Sequence, residues 1–376
     1  MESKPFDYII IGGGPIGLYA ALELKVAGFQ VAVFEKKIFP IDKVCGEGIM
    51  PLGRKLLKRH NVVFSSEFSY SFSGIEFKDQ DQLSATLDFK VGSGLGVRRL
   101  ELSQKLKEMV ETNNIMLTES SEYISHEETG DLVSVKIKIN NEFRNFRTKY
   151  LVAADGIHSK VRNQLQAPLK KFPFSRIGLR WHLPITPWSP NVQVFWSKGI
   201  EAYVTPVGEN LVEIAILSFK SCFEGQKIEE ILDHFPELKS IINGEAPLDK
   251  RGYGPFPIEM KQNVHGRVIF IGDAFAFIDG ITGDGLSFGF LQGHLLAMNA
   301  YCLEDYVKKV RNYFRLYKLI TFSTLMLSYF PMIRKIFLSK ASRFILTKVF
   351  RFHVEHGLPF LRNSRPGSEV KQLSLT

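Results

Sequence analysis

The sequence predicts an α/β protein, α+β overall, in which a Rossmann-type nucleotide-binding lobe carries an inserted antiparallel β-sheet domain and a C-terminal helical tail. Three observations support this class. The N-terminus reads as strand, glycine turn, helix and strand, residues 172–258 read as alternating strands, and the chain after Leu286 has helical spacing. A chain of 376 residues is longer than one hydrophobic core usually supports, so we expect two lobes in contact.

The first lobe is predicted to be discontinuous in the sequence. It takes residues 1–73, 95–171 and 259–300, the substrate domain takes 74–94 and 172–258, and 301–376 form a basic, apolar C-terminal region. In the first lobe, a hairpin pairs Leu132–Ile139 with Phe143–Thr148, and Tyr150–Ala154 is a separate strand. The substrate domain is predicted to contain strands at Arg176–Leu183, Asn191–Trp196, Ala202–Thr205 and Val212–Leu217, with a helix at Lys227–His234.

The clearest motif is Gly12-Gly-Gly14-Pro-Ile-Gly17, which lies between the apolar run Tyr8–Ile11 and a helical segment. In this pattern Gly12 permits the tight turn, Gly14 allows the backbone to approach a pyrophosphate, and Gly17 allows close packing of helix and strand. The second strand ends at Glu35, which is placed to accept hydrogen bonds from an adenosine ribose. The predicted dinucleotide contacts are Gly12, Gly14, Pro15, Ile16, Gly17, Glu35 and Lys36.

Composition limits the class of protein. A hydrophobic fraction of 45% with 23% charged residues is typical of a globular chain. The three cysteines have no metal-ligand spacing, and no apolar leader precedes the first strand, so we expect a reducing, cytoplasmic setting and no metal site. The net charge is +9, but the region from Val307 onward carries fourteen basic and two acidic residues. No nucleic-acid partner is expected, because this basic region is also rich in apolar residues.

Two further motifs resemble a known family. Tyr150-Leu-Val-Ala-Ala-Asp155-Gly156 is similar to the Asp-Gly motif of p-hydroxybenzoate hydroxylase-like flavoproteins (group A flavin monooxygenases), and Arg267-Val-Ile-Phe-Ile-Gly272-Asp273 to their Gly-Asp motif. A helix start of the form Arg-x-x-Leu-x-x-x-Leu begins at Arg99, with Arg98 as the competing arginine. The resemblance implies FAD as cofactor. It adds as predicted FAD contacts Arg99, Asp155, Gly156, Gly272, Asp273, Gly283, Gly285 and Leu286.

The segment Lys43-Val-Cys45-Gly46-Glu47-Gly48 resembles the geranylgeranyl reductase branch of the same superfamily. There the segment runs beside the flavin and the substrate pocket, which implies that Cys45 and Gly46 contact the cofactor. Cys45 and Tyr203 are the candidate catalytic residues, both as pocket-lining groups. Glu47 could supply a proton, but a surface salt bridge is the preferred prediction for it.

The chain also departs from these families. The Tyr-x-Trp-x-Phe-Pro motif of the reductase branch is reduced to Tyr203 and Pro206, without the tryptophan and phenylalanine. The Trp-x-Trp-x-Ile-Pro motif of flavin-dependent halogenases is absent from the sequence. No second G-x-G-x-x-G exists, so a nicotinamide is expected to bind only transiently, at the lobe interface.

The resemblance implies an FAD-dependent oxidoreductase and leaves the reaction open. We narrowly favour an NAD(P)H-dependent monooxygenase (hydroxylase) that uses O₂ through a flavin C4a-hydroperoxide and acts on a hydrophobic aromatic, polyketide or lipid-like substrate. The first alternative is a geranylgeranyl reductase-like enzyme that reduces isoprenoid double bonds. The second alternative is a non-catalytic or protein-modifying accessory flavoprotein. NADH or NADPH would be the transient reductant in either enzyme.

The C-terminal region predicts contact with a membrane surface. Leu319–Ile333 is mostly apolar but too short to span a bilayer, which takes roughly twenty residues. Arg343–Phe352 mixes basic and aromatic residues, as an interfacial helix does. We therefore expect a cytoplasmic protein that is peripheral on the inner face of the membrane through this anionic-lipid contact. The alternative is that these helices cover the back of the first lobe.

Overall fold

A computed structural model describes residues 4–81, 83–219, 228–242 and 244–338. Two sheets of different character organise it, as the sequence predicts. The first is a mixed sheet built around the N-terminal strand, and the second is a largely antiparallel sheet from the middle of the chain. A cleft between them collects the motifs.

The first sheet has the strand order β18-β19-β11-β1-β2-β8, with β10 and β9 extending it beyond β11. Its central strands β1, β2, β11 and β19 pair in parallel, and their paired residues are apolar except Thr148. The bounds are β1 Phe6–Ile11, β2 Val31–Phe34, β8 Met116–Thr118, β9 Ser121–Thr129, β10 Leu132–Ile139, β11 Glu142–Ala153, β18 Val264–His265 and β19 Val268–Phe270.

The hairpin prediction is wrong in one respect. Phe143–Thr148 and Tyr150–Ala154 are not two strands but parts of one twelve-residue strand, β11. Its first half pairs antiparallel with β10, and its second half pairs parallel with β1. Strand β9, which the sequence analysis did not identify, completes a three-stranded meander with β10 and β11. The polar alternation of β9 gave no strong apolar signal.

Three helices cover the first sheet. α1 (Pro15–Val26) starts at a proline, follows the glycine turn and packs on α3 (Arg99–Thr112) and α7 (Gly285–Met298). α1 and α7 approach closely because a side chain at Gly293 would meet the backbone of Ala20 at about 3.0 Å. α7 is buried over most of its length, so it forms the core between the first sheet and the C-terminal helices.

The second sheet has the order β16-β12-β15-β14-β13-β5-β6. All pairs are antiparallel except β13 with β5. The bounds are β5 Gly74–Asp79, β6 Ser84–Asp88, β12 Arg176–Leu183, β13 Val192–Trp196, β14 Ile200–Gly208, β15 Leu211–Phe219 and β16 Lys250–Phe256. The segment 74–88 therefore joins this sheet although it lies far from the other strands in the sequence.

One face of the second sheet packs on two short helices, and the other face lines the cleft. α5 (Ile228–Leu232) and α6 (Pro236–Ile242) cover the outer face and pack in one apolar cluster with Trp181 and Phe195 of the sheet. The helix predicted at Lys227–His234 corresponds to α5, although Lys227 lies outside the described residues. α6 and β16 were not predicted.

Small elements connect the two sheets. β3 (Gly48–Ile49), β4 (Ser69–Tyr70) and β7 (Leu95–Val97) form a three-stranded sheet, with α2 (Pro51–Lys58) following β3. β17 (Ile258–Glu259) pairs with β20 (Ala276–Phe277), and α4 (Lys160–Gln164) follows β11. These connections carry the loops that meet at the cleft.

The C-terminal region begins with α8 (Leu303–Tyr329), followed by α9 (Pro331–Leu338) at an angle of 107°. No single helix among the described residues is long and apolar enough to cross a membrane, and this bent pair passes on length and composition only when taken together. The buried side of α8 packs on α7 and on the second sheet through Phe314 and Leu325. The interfacial helix predicted at Arg343–Phe352 lies outside the described residues.

Candidate functional site

The cleft between the two sheets encloses about 1420 Å³, open space at its mouth included. The first lobe contributes the glycine turn, the ends of β11 and β19, and the loop before α7. The second sheet contributes apolar side chains. Of the predicted site residues, those that line the cleft are Gly14, Pro15, Ile16, Cys45, Gly46, Arg99, Gly156, Tyr203, Gly272, Asp273, Gly283, Gly285 and Leu286.

The glycine turn has two tight positions and one open one. A side chain at Gly12 would meet the Ala154 carbonyl at 2.5 Å, and one at Gly17 would meet the Gly12 carbonyl at 2.0 Å. At Gly14 a side chain would meet nothing within 4 Å, although this residue lines the cleft and precedes α1. Free space before a helix N-terminus suits a phosphate group.

Glu35 holds this turn from the end of β2. One carboxylate oxygen accepts a hydrogen bond from the Gly13 amide at 2.6 Å, and the other accepts one from the Lys37 amide at 2.9 Å. Glu35 is buried, whereas Lys36 is exposed, and neither lines the cleft. The predicted adenosine end of the site thus lies outside the enclosed part of the cleft.

Arg99 is the buried arginine of the predicted pair. It lines the cleft, and its Nε and Nη1 atoms have no hydrogen-bond partner within the described part of the chain. A buried guanidinium without a partner is costly, so its position indicates an anionic or polar ligand. Arg98 instead points to Asp249, at 3.7 Å between Nη2 and Oδ2. Arg99 is therefore not a solvated surface residue.

Asp155 and Gly156 have different structural roles. The Asp155 carboxylate accepts hydrogen bonds from the amides of Lys160 at 2.7 Å and Val161 at 3.3 Å, and so caps the start of α4. Burial raises the pKa of Asp155 above its ordinary value, despite these bonds. Gly156 has a left-handed φ of 83° and lines the cleft, whereas Asp155 does not.

Asp273 lies in the cleft after β19 and is already paired. Its Oδ2 atom accepts hydrogen bonds from Lys43 Nζ at 2.7 Å and from the Tyr253 hydroxyl at 2.8 Å. Burial alone would raise the pKa of Asp273, but the Lys43 charge and these hydrogen bonds lower it overall. Lys43 and Tyr253 both line the cleft, and the sequence analysis missed both. The position of Lys43 beside Cys45 was the available signal for one of them.

The loop from Phe277 to Leu286 covers one side of the cleft. Gly283 has a left-handed φ of 67°, and Thr282 Oγ1 is buried without a hydrogen-bond partner in the described structure. The Tyr203 hydroxyl donates a hydrogen bond to the Ile281 carbonyl at 2.5 Å and so ties this loop to the second sheet. α7 begins at Gly285, so its first amides lie at this wall.

A buried ionic group, formed by Arg176, Glu201 and Asp279, holds the same loop in place. Arg176 lies 2.5 Å from Glu201 (Nη2 to Oε2) and 2.7 Å from Asp279 (Nε to Oδ2), and all three side chains are fully buried. Ser328 of α8 donates a hydrogen bond to Glu201. Burial, opposed by the charge of Arg176, raises the pKa of Asp279 to about 6. The group joins the second sheet, the loop and α8.

Glu47 does not form the surface salt bridge that the sequence analysis predicted. The residue is buried, with Oε1 accepting a hydrogen bond from the Arg99 amide at 2.8 Å and Oε2 lying 2.7 Å from His182 Nε2. The prediction is wrong because the chain turns at Glu47, with a left-handed φ of 47°, and directs this side chain under the second sheet. Cys45 and Gly46, the two preceding residues, face the cleft.

The wall formed by the second sheet is almost entirely apolar. Its polar side chains at the cleft are Tyr203, Thr205 and Tyr253, whose hydroxyls donate to the Ile281 carbonyl, the Gly46 carbonyl and the Asp273 carboxylate respectively. The apolar lining residues on the strands of this sheet are Ile75, Phe77, Leu179, Val192, Val194, Ala215, Leu217 and Phe256. This part of the cleft suits a hydrophobic ligand.

The features of the cleft fit a flavin dinucleotide. Gly14 leaves space for a pyrophosphate before α1, Arg99 offers unpaired donors, and Asp273 offers a partly buried carboxylate to sugar-like hydroxyls. The amides at the start of α7 would face the ring, where their positive end stabilises negative charge. Motifs from distant parts of the chain meet in one cleft, but their individual contacts with a cofactor stay predictions.

Comparison with known proteins gives the class of the chain. A family model described as FAD binding domain matches residues 6–205, and the chain belongs to this family of FAD-binding proteins. Among solved structures, a flavin-dependent brominase superposes with a TM-score of 0.81 at 17% identity, covering 93% of this chain and 94% of that one. At that identity the likeness shows the fold, which is that of FAD-binding flavoproteins.

Curated relatives carry several activities. The menaquinone reductase of Mycobacterium tuberculosis is 23% identical over 77% of this chain and 75% of its own length. The digeranylgeranylglycerophospholipid reductase of Thermoplasma acidophilum is 24% identical over 77% of this chain and 76% of its own. Conditioned medium factor receptor 1 of Dictyostelium discoideum is 22% identical, but the match spans only 63% of that protein. The chain is thus a member of an FAD-dependent oxidoreductase superfamily.

Proposed function

We propose that this protein is an FAD-dependent reductase of carbon–carbon double bonds in a hydrophobic, isoprenoid-type substrate. The observation that carries the proposal is the substrate wall of the cleft. Its three hydroxyl groups, on Tyr203, Thr205 and Tyr253, all donate hydrogen bonds to oxygen atoms of the protein, and the remaining side chains of the wall are apolar. Such a wall binds an alkene by contact area alone.

The same wall disfavours the hydroxylation that the sequence analysis preferred. Oxygen transfer to an aromatic ring is easiest when a phenol is ionised, and ionisation needs a base within hydrogen-bond reach of the substrate. The hydroxyls of Tyr203, Thr205 and Tyr253 all donate to protein oxygens, so none is free for this role. Two relatives, a menaquinone reductase and a digeranylgeranylglycerophospholipid reductase, support the preference for reduction over hydroxylation.

FAD, when bound, would supply hydride to the substrate after reduction by NADH or NADPH. The residues assigned to hold it are Gly12, Gly14, Gly17, Glu35, Arg99, Gly156, Asp273 and Gly283. Lys43 orients Asp273 through their ion pair, and Cys45 and Gly46 carry the backbone along the cleft. The apolar wall excludes water from the reacting atoms. The nicotinamide binds transiently in this proposal, without a domain of its own.

Product analysis tests the proposal. Purified holoenzyme is incubated with NADPH or NADH and with menaquinone or a geranylgeranyl lipid, without oxygen and then in air. A gain of two hydrogens in the isoprenoid chain of the product without oxygen, as distinct from reduction of the quinone ring to the quinol, supports the reductase. A gain of one oxygen, only in air, overturns it in favour of monooxygenation. If neither substrate changes and neither NADH nor NADPH reduces the flavin, the results would favour an accessory flavoprotein.

We also propose that α8 and α9 rest on an anionic membrane surface, which would suit a lipid substrate. Leu319, Met332 and Ile336 are more than 60% exposed, and Arg315 and Lys335 flank them. Basic residues near an anionic leaflet contribute on the order of 1 kcal/mol each. Sedimentation with vesicles of phosphatidylserine should exceed that with neutral vesicles. Equal sedimentation, or none, would contradict the proposal.

A further inference from the structure

The most unusual buried group near the cleft is Glu213. It lies on β15 and is fully buried, directly opposite His182 of β12 and Thr205 of β14. Neither of its carboxyl oxygens makes a hydrogen bond of ordinary geometry to any described residue. A buried carboxylate without hydrogen bonds is costly, whereas a protonated carboxyl group costs far less. The position therefore favours the neutral acid.

Burial and the residues around Glu213 also favour its protonated form. Burial is the largest cause that raises the pKa of Glu213 well above its ordinary value of 4.5, followed by the charges of Glu47 and Cys45. The Arg180 guanidinium and the Thr205 hydroxyl oppose the shift but do not cancel it. The raised pKa therefore favours the protonated form of Glu213, which lies opposite Thr205, a residue that lines the cleft.

A chain of titratable groups leads from this place to the surface. Glu47 Oε2 lies 2.7 Å from His182 Nε2, and His182 Nδ1 lies 2.9 Å from Asp249 Oδ1. Glu47 and His182 are buried, but the Asp249 side chain is 26% exposed. A proton can therefore enter at Asp249 and reach Glu47, the charged residue with the largest effect on the pKa of Glu213.

His182 can occupy either tautomer. Its Nδ1 atom can donate to Asp249, or it can accept from Arg180 Nη1 at 3.0 Å while Nε2 donates to Glu47. Arg180 is held in place by Asp42 at 2.6 Å and by Asp249 at 2.8 Å. An imidazole with acidic partners on both ring nitrogens is suited to pass protons between them.

Thr205 connects this group of residues to the cleft. Its hydroxyl faces Glu213 across the β14–β15 pair, lines the cleft and donates to the Gly46 carbonyl at 2.9 Å. A hydroxyl group can accept one proton while it donates another. Thr205 is the member of the group that can touch a bound substrate.

We propose that Glu213, supplied through Asp249, His182 and Glu47, is the proton store of the reaction and delivers its proton to the substrate past Thr205. This inference rests on the proposed double-bond reduction. The π bond of the alkene breaks, one carbon gains a hydride from the reduced flavin, and the other gains the proton. Glu213 then recovers a proton from water at Asp249. Glu213, Glu47 and His182 act through Thr205 and are positioning residues in this scheme.

Infrared spectroscopy tests the proton store without a substrate. Holoenzyme at pH 7 should show the carbonyl band of a protonated carboxylic acid, and this band should shift when dithionite reduces the flavin, because negative charge develops nearby. Glu213→Gln should lose the band. Glu259→Gln, which removes a buried carboxyl group paired with Lys170 and Lys318 away from the cleft, should keep it. A band that survives in Glu213→Gln, or that ignores flavin reduction, overturns the proposal.

Single-turnover kinetics tests the delivery. The reduced enzyme is mixed with menaquinone without oxygen, and flavin reoxidation and product are followed. Glu213→Gln and Thr205→Val should slow product formation at least tenfold with unchanged flavin content. The solvent isotope effect on product formation should be smaller in both variants than in the parent protein. Unchanged rates in Glu213→Gln overturn the relay. If the parent protein reduces neither probe, the proposed function fails, and the infrared result alone decides whether Glu213 stores a proton that responds to the flavin.

Discussion

Lys43 and Asp273 form an ion pair of 2.7 Å inside the cleft, although 230 positions separate them in the sequence. Lys43 belongs to the segment before Cys45, and Asp273 follows β19 of the first sheet. The pair lowers the pKa of a partly buried carboxyl group where the cleft passes between the two lobes. It therefore links the flavin-family motif at Gly272 to the segment that resembles the reductase branch.

Replacement of Asp273 should weaken FAD binding. Hydrogen bonds to a charged group contribute about 1.5–3 kcal/mol, so Asp273→Ala should lower the FAD affinity roughly tenfold to a hundredfold. Fluorescence titration of the apoprotein with FAD measures this. Asp7→Asn, which removes a partner of Lys149 remote from the cleft, serves as control. Equal affinity of the Asp273→Ala and parent proteins would remove Asp273 from the cofactor site.

The glycine turn gives a matched pair of variants. Gly17→Ala should destabilise the fold by about 1–3 kcal/mol, because its methyl group would meet the Gly12 carbonyl at 2.0 Å. Gly14→Ala should leave the stability of the apoprotein nearly unchanged, because nothing lies within 4 Å, but should abolish tight FAD binding. Denaturant unfolding and FAD titration separate the two effects. Normal FAD affinity in Gly14→Ala would place the pyrophosphate elsewhere.

The buried ionic group should be important for stability. Arg176→Met would leave the carboxyl groups of Glu201 and Asp279 without their cation, and breaking a buried pair costs about 3–5 kcal/mol. The midpoint of urea unfolding should fall accordingly. Lys239→Met, which removes an exposed pair with Asp233, should change it little. Similar midpoints for both variants would show that the buried group adds no net stability.

Glu213 should make stability depend on pH. Its folded pKa is raised, so the folded state retains a proton that the unfolded chain releases above about pH 4.5. The contribution of this group is therefore fully present below that pH and is lost as pH rises towards the folded pKa. Relative to the parent, Glu213→Gln should gain stability as the pH rises above about 4.5, by at most about 1.4 kcal/mol per pH unit. Parallel pH curves for the two proteins would contradict a protonated Glu213.

Filling the apolar wall should block the substrate and spare the cofactor. Val194 lines the cleft on β13, so Val194→Phe should reduce turnover of a long isoprenoid substrate at least tenfold at unchanged flavin content. Val26→Phe, at a position 64% exposed on α1, is the matched control. The measurement is the rate of product formation together with the flavin absorbance of each protein. Full activity of Val194→Phe would show that the substrate binds against a different wall of the cleft.

Much of the fold follows from local patterns. Tyr8–Ile11, the glycine turn and the helix from Pro15 could be recognised because strand, turn and helix follow one another within thirty residues. The single strand β11 could not be read as one element. Its two halves pair with different partners, and the change from exposed hairpin to buried parallel strand resembles a boundary in the sequence.

Site residues that belong to sequence motifs could be predicted, whereas site residues that only burial in the folded chain defines could not. Gly272 and Asp273 stand in a recognisable run, whereas Tyr253 reaches the cleft from β16, whose glycines and proline hide the strand. Glu47 and Glu213 were not separable from surface acids, because only the folded chain removes them from water. Long-range register, here His182 opposite Glu213, is set by tertiary packing and has no local signature.

The ionic group around Arg176 also bears on how long a cofactor stays. It fastens the loop over the cleft to a strand of the second sheet and to α8, and the Tyr203 hydroxyl adds another attachment. Release of a dinucleotide by parting the lobes would expose these charges unpaired. The flavin is therefore expected to dissociate slowly, over many catalytic cycles, and to be carried through purification as a prosthetic group while nicotinamide exchanges at every turnover.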